Sequence, residues 1–253
     1  MGNLSTPSAI VARLREKGES SPRLVWYGPD GRIELSGRVL DNWVAKTANL
    51  LVDELDAGAG SRIVLDLPVH WKTMVWALAA WEIGATVSAV GSGSHNESIP
   101  DGGASDGTTV LVSASGTASA GDIAASGTAE VHLVLVELGA LALRWSGALP
   151  ADAMDYMAEV RSQGDVFMDQ APLPAGRSLL LADRQFGFDA LVELGGGRPP
   201  VASVVLMEAT RPLEMVLGSA LAVWQADGTL VLVGPGVPVT DSLLAGERVT
   251  ERR

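Results

Sequence analysis

The residue run with the clearest chemical use is Ser113-Ala114-Ser115-Gly116-Thr117-Ala118-Ser119-Ala120-Gly121, which follows a short apolar stretch at Thr109 to Val112. Small residues after a strand let backbone N–H groups close around phosphate oxygens, so Ser115, Gly116 and Thr117 are candidate anion contacts. No lysine follows to supply a cation, and the competing reading is a surface loop. Arg211, with Glu208 and Thr210 after a β-rich run, is a second candidate, because a guanidinium can meet a carboxylate or phosphate. Its alternative is a solvated loop ahead of a helix. His70, His95 and His132 are too scattered for a triad or a zinc site. His70-Trp71 lies just past Pro68, where a strand should end, and suits helix capping as well as a ligand. Asp152, Asp155, Glu159 and Asp165 surround Tyr156 without the loop spacing of a calcium site, and are expected to form one wet helical face. Gly195-Gly196-Gly197-Arg198-Pro199-Pro200 precedes a strand, the wrong side for phosphate capture, and is expected to be a linker. No catalytic residue and no metal set emerges. The lack of cysteine removes disulfides, thiolate metal sites and thiol nucleophiles.

The charge balance sharpens this. Only 18 Lys and Arg stand against 30 Asp and Glu, a net charge of -12, so nucleic acid is not an expected partner. A polyphosphate would need a local amide nest, a lysine or a divalent ion to reverse the field. No apolar run reaches the roughly 18 residues of a membrane span, and the N-terminus lacks a basic segment leading into one. No membrane association and a cytoplasmic location are therefore expected.

The elements that must position these residues follow from periodicity. Thr6 as cap and Pro7 in the first turn open a helix carrying Ile10, Val11 and Leu14, closed at Gly18. Leu24 to Tyr27 and Ile33 to Leu35 flank Gly28-Pro29-Asp30-Gly31, which predicts a hairpin. Ser36 caps a long helix with Leu40, Trp43, Val44, Thr47, Leu50 and Leu51 on one face. Arg62 to Leu67, His70 to Ile83 with Gly84 behind it, and Thr86 to Val90 make a β-α-β unit. Gly91 to Gly107 and Ser113 to Ala129 are expected to be loops. Val131 to Leu143 predicts one or two strands, Asp152 to Arg161 a short helix, Ser178 to Leu181 a strand and Phe188 to Leu194 a helix. Val201 to Leu206, a helix opened by Pro212, and Thr229 to Val233 form the last clear unit, and Asp241 is expected to cap a terminal helix. Tryptophans 43, 71, 76, 81 and 224 fall in apolar helical patterns as anchors. The alternation predicts an α/β fold, a layered sheet with flanking helices, as a single domain over residues 1–253 with a possible subdivision near 91–130.

In order and spacing, four strings resemble the N-terminal part of the acyl-CoA synthetase, AMP-binding (adenylate-forming) superfamily. They are Ile33-Glu34-Leu35-Ser36 leading to Asn42-Trp43-Val44-Ala45-Lys46; Gly60 to Pro68 with its Leu67-Pro68 pair; Ala77 to Val87 with its Gly84-Ala85 step; and Leu213 to Val233. The resemblance implies an acetyl-CoA-synthetase-like N-terminal region, with ATP and CoA as the family's ligands. It also places a glycine-rich, lysine-ended phosphate loop near residues 178–187. There the sequence reads Leu181-Ala182-Asp183-Arg184-Gln185-Phe186-Gly187, leaving Arg184 as the one cation. The family's adenine-binding strands, ribose-binding Asp and C-terminal domain with its catalytic Lys have no counterpart in the sequence. The expectation is a truncated, catalytically incomplete relative that binds a ligand or partner, with no cofactor of its own. The alternatives are a subunit of an adenylate-forming ligase completed by another polypeptide, and an unrelated Rossmann-like binding protein. The surface and sheet edge beside the C-terminal strand, residues 229–233, must be repaired by polar substitution, covered by the terminal segment Thr240 to Arg253, or shared with another chain; the short tail favours the last, so a homo-oligomer or partner protein is expected there.

Overall fold

The computed structural model describes residues 6–17, 20–89, 107–119, 121, 130–168, 179–181 and 184–253. In chain order the elements are α1 (Pro7–Lys17), β1 (Pro22–Gly28), β2 (Gly31–Ser36), α2 (Gly37–Asp53), β3 (Arg62–Asp66), α3 (Trp71–Glu82), β4 (Thr86–Ala89), β5 (Thr109–Ser113), β6 (Val131–Leu135) and β7 (Ala153–Asp155). They continue with α4 (Tyr156–Glu159) and a 3-10 turn (Val160–Ser162), β8 (Leu179–Leu181), β9 (Arg184–Phe186), α5 (Phe188–Leu194), β10 (Val204–Glu208), α6 (Leu213–Gln225), β11 (Thr229–Val233), α7 (Asp241–Gly246) and β12 (Glu251–Arg252). Two compact units result. One comprises Met1–Trp43, Val69–Val75 and Phe188–Arg253; the other comprises Val44–Pro68 and Trp76–Gly187.

The first unit holds a five-stranded sheet in the order β12-β10-β11-β1-β2, parallel except for β2. Local chemistry starts its elements where the sequence marks them. Thr6 Oγ1 accepts the Ala9 N–H at 3.3 Å to cap α1, and Ser36 Oγ accepts the Val39 N–H at 3.3 Å to cap α2. The hairpin of β1 and β2 forms as expected. The segment 229–233 is not a sheet edge. β11 lies between β10 and β1, which explains its continuous apolar run, since a central parallel strand is buried on both faces. The far side of β10 is paired by β12, drawn from the tail. Leu243, Leu244 and Val249 pack with Val237 and Val239 over Val25, Leu206, Val231 and Val233. The tail thus covers both an edge and a face that its short length did not advertise. Thr240, not Asp241, caps α7, through its hydroxyl accepting the Leu243 N–H at 3.2 Å.

The glycines at 195–197 are not a linker. A Cβ on Gly195 would stand 2.0 Å from the Ser219 backbone nitrogen, and one on Gly218 would stand 1.8 Å from the Leu191 carbonyl oxygen. Helices α5 and α6 therefore touch backbone to backbone. Arg253 Nη1 donates to the carbonyls of Gly195 at 2.7 Å and Gly197 at 2.9 Å, tying the end of the chain to the same crossing.

The second unit holds a seven-stranded sheet in the order β7-β6-β5-β3-β4-β8-β9, parallel except for β9. The β3-α3-β4 unit pairs Arg62 with Thr86 in parallel, as its sequence pattern predicts, and Gly84 ends the helix at φ 75, where a side chain would be strained. This unit and the 204–233 unit, expected in one layered body, belong to separate sheets. Apolar periodicity fixes which face of a strand is buried but not which neighbours it pairs with. β6 stops at Leu135, short of the expected 143. The expected helix over 152–161 instead begins as strand β7, because the Asp155 side chain accepts the N–H groups of Met157 and Ala158 and delays the helix to Tyr156. Tyr156 is fully buried, bonded to Thr47 at 2.7 Å, with its ring 4.9 Å from that of Trp76 and tilted against it by 48°. Among the described residues no helix is long and apolar enough to cross a membrane.

Candidate functional site

In an open parallel sheet the crevice for a ligand lies beyond the strands' carboxyl ends, at the point where consecutive connections run off in opposite directions. In the second unit that point falls between β3 and β5: the chain leaves β3 for β4 on one side and later returns to β5 on the other. At the carboxyl end of β3 stands Asp66, and opposite it, in register, Ser113 ends β5. Ser113 Oγ donates to Asp66 Oδ2 at 2.6 Å and accepts the Ser115 N–H at 3.0 Å. Ser115 Oγ accepts the Thr117 N–H at 3.3 Å and lies 2.8 Å from Thr117 Oγ1. Ser115, Gly116 and Thr117 are therefore gathered on one turn. The N–H groups of Ser115 and Thr117, which a phosphate nest would need, are engaged by the turn's own hydroxyls, and a carboxylate stands behind them.

A second layer comes from the segment 136–150. Glu137, just past β6, accepts the Ser146 hydroxyl at 2.5 Å and the Ser146 N–H at 3.3 Å. The Ser146 hydroxyl, assisted by the N–H of Gly139, holds the Glu137 carboxyl below its usual range against the opposing effect of burial. Asp155, at the end of β7, accepts the Trp145 N–H at 2.8 Å. Between these ties the Trp145 ring packs with Ala118 and Ala153 on Val64, Leu111, Leu133 and Leu135. Its Cζ2 lies 3.3 Å from where a Gly116 Cβ would stand, and its Nε1 lies 2.9 Å from that of Gly147. The indole N–H is buried with no hydrogen-bond partner among the described residues. Asp66, Glu137, Trp145 and Ser146 were not singled out in the sequence. Asp66 carried one usable signal, a carboxylate directly after the apolar run Ile63-Val64-Leu65.

The other candidates do not join this group. Arg184 sits on β9 with Leu181 as its register partner. Arg211 belongs to the first unit, exposed in the turn after β10, where its N–H bonds to the Glu208 carbonyl at 3.1 Å. His132 lies on β6, 3.8 Å from Glu130. His95 lies outside the described residues, as do most of the loops expected at 91–107 and 113–129. No set of three His, Asp or Glu able to hold a metal occurs among the described residues. In the first unit, His70 caps α3 by accepting the Lys72 N–H at Nδ1, 3.2 Å away, and its ring meets Trp26 edge-on at 4.6 Å and Trp71 at 5.7 Å. Burial, with the nearby Lys72 charge, pushes its pKa down to about 3, so it is a neutral core histidine.

No family model matches the sequence. A curated TIGR03089 family protein of Mycobacterium tuberculosis is 31% identical over 259 residues, covering 98% of this chain and 99% of the relative. Among solved structures, an acyl-CoA synthetase of Brucella canis superposes with a TM-score of 0.70 at 16% identity, over 96% of this chain and 46% of the synthetase. NpsA-ThdA, an artificially fused adenylation-PCP di-domain of Klebsiella oxytoca, gives 0.67 at 14% identity, over 99% of this chain and 43% of the fusion. The N-terminal domain of FACL13 from Mycobacterium tuberculosis gives 0.63 at 12% identity, over 100% and 62%. The fold is that of the N-terminal region of acyl-CoA synthetase-like enzymes, and the chain spans about half the length of the first of these solved structures.

Proposed function

The chain belongs to the TIGR03089 family, and from that premise we propose that it is a catalytically incomplete relative of the acyl-CoA synthetases, which holds a ligand or a partner and does not form an acyl adenylate by itself. One observation carries the reading. Over the stretch where the resemblance puts the phosphate loop, β8 and β9 pair antiparallel, Leu179 with Phe186, Leu180 with Gln185 and Leu181 with Arg184. A phosphate loop works by leaving successive N–H groups free around the anion. A paired ladder has few to offer. The charge of -12 and the engaged amides of the 113–117 turn support the same conclusion.

The test is calorimetric titration with MgATP, together with pyrophosphate exchange on the same preparation. Neither binding nor exchange is expected. A dissociation constant below about 100 μM, roughly -5.5 kcal/mol, or exchange above background, overturns the proposal. A second reading, a subunit completed by another polypeptide, draws on the 46% coverage of the Brucella synthetase. It predicts exchange only when a second chain carrying the lysine-bearing parts is added.

A further inference from the structure

The connection from β6 to its parallel neighbour β7, residues 136–152, contains no helix or strand. A crossover between parallel strands is usually a helix, whose apolar stripe covers the sheet face beneath it. Here that layer is thin. On the row Val64, Leu111, Leu133 and Leu135 the connection lays one ring, Trp145, beside Ala118 and Ala153. Its leucines are spent elsewhere: Leu141, Leu143 and Leu149 are 91%, 62% and 44% exposed. The segment is nonetheless tethered, by the Ser146 hydroxyl and N–H on Glu137 and by the Trp145 N–H on Asp155, so Leu141 and Leu143 stand in a closed loop. Single exposed leucines are ordinary, whereas three on one tethered connection mark a surface that another molecule covers.

The charges nearby select the occupant. From 136 to 161, Glu137, Asp152, Asp155 and Glu159 stand against Arg144 and Arg161. Among the described residues no ion pair includes Asp152, Asp155 or Glu159. Asp155 is met by the N–H groups of Trp145, Met157 and Ala158, which leave its charge in place. The whole chain carries -12. A second copy would bring the same acidic surroundings, and an anionic lipid surface would be repelled, whereas a cationic partner is drawn in. We propose that the β6–β7 connection is the docking surface for a cationic amphipathic helix of another protein. The helix sets its apolar face on Leu141, Leu143 and Leu149 and its lysines or arginines towards Asp152 and Glu159, and it supplies the helical layer that the crossover lacks. This rests on the partner-holding reading above and names the partner's chemistry.

The test is fluorescence polarisation on the full chain with a labelled leucine–lysine peptide of about 18 residues, long enough to be helical, whose leucines recur at three- and four-residue spacing. A peptide of the same composition with its leucines spread around the helix, and one with glutamate for lysine, are each expected to bind at least tenfold more weakly. Leu141→Ser/Leu143→Ser should weaken binding of the first peptide at least tenfold, and Leu149→Ser or Asp152→Lys at least threefold. Val201→Ser, which removes an apolar side chain 78% exposed in the first unit, should leave it unchanged. The leucines and Asp152 are on the surface, and circular dichroism checks that each variant is folded; Leu149→Ser and Asp152→Lys keep the test open if the double variant is not. Equal affinity for the three peptides, or equal affinity of the leucine variants and the unsubstituted chain, overturns the proposal. So does self-association, or adsorption to phosphatidylcholine vesicles, that Leu141→Ser/Leu143→Ser abolishes in a chain that does not take the peptide, since the leucines then serve a second copy or a lipid surface. A chain that takes the peptide and also exchanges pyrophosphate defeats the catalytic reading alone, and one that does neither defeats this proposal alone.

Discussion

Substituting Gly218→Ala sets two effects of opposite sign against each other at one position. Within a helix such as α6, replacing glycine by alanine ordinarily stabilises by about 1 kcal/mol, because alanine loses less backbone freedom on folding. Here the added methyl would stand 1.8 Å from the Leu191 carbonyl oxygen and 2.6 Å from its carbonyl carbon. Real Cβ atoms do not approach that closely, and the obstacle is backbone of α5, which cannot rotate aside as a side chain would. Overpacking in a core costs about 1–3 kcal/mol, and an unyielding neighbour puts this site at the upper end. The net expectation is a loss of about 2 kcal/mol, or a Tm lower by roughly 4–8 °C for a chain of this size. Urea and thermal unfolding of the purified variant measure it. Gly246→Ala is the control: the same exchange in α7, with nothing within 4 Å of the added methyl, should be neutral or raise the midpoint by tenths of a kcal/mol. If Gly218→Ala also raises the midpoint, helix propensity outweighs the contact and the backbone-to-backbone crossing of α5 and α6 is wrong.

Three further outcomes follow from particular contacts. An unfolded histidine takes up a proton near pH 6.5 while buried His70 resists until about pH 3, so stability falls as pH drops across that window, by about 1.4 kcal/mol per pH unit below the unfolded value; His70→Gln should flatten this slope in urea titrations between pH 6 and 4, and an unchanged slope refutes it. Asp155→Ala removes the cap of α4, made by Oδ1, and the tie to the Trp145 N–H, made by Oδ2, and should cost at least about 1 kcal/mol, while Asp155→Asn, with one acceptor oxygen for the two places, recovers only part of the loss; full recovery refutes the two-oxygen reading. Deleting residues 250–253 uncovers the outer edge of β10, and sedimentation velocity should then show self-association rising with concentration beyond that of the intact chain; identical profiles would show that β12 shields nothing.

What the sequence displayed was local. The caps Thr6 and Ser36, the Gly28 to Gly31 hairpin turn, and the strand-helix-strand run ending at Gly84 all depend on neighbours a few residues away, and all are where their patterns put them. What it concealed was long-range. Residues 229–233 show an apolar run whether they lie at an edge or in the centre, and their central place depends on β1 and β10 arriving from distant segments. Gly195 gives the same composition signal in a linker as in a close helix crossing; only its proximity to Ser219 separates the two. At the candidate site the small residues 113–117 stood out by type, while the groups beside them, Asp66 and Trp145, come from 47 residues before Ser113 and from the segment 136–150, which has no periodicity.

The pairing of Leu24 with Leu230 carries a consequence for synthesis. As the chain leaves the ribosome, the hairpin of β1 and β2 appears early but must wait for β11, and then for β12 beyond it, before its sheet can be completed. The seven-stranded sheet draws only on internal residues and is fully translated sooner. Until residues 229–233 have been synthesised, β1, with Leu24 and Trp26 buried on one face and Val25 on the other, has no β11 beside it, a window in which nascent chains depend on chaperones.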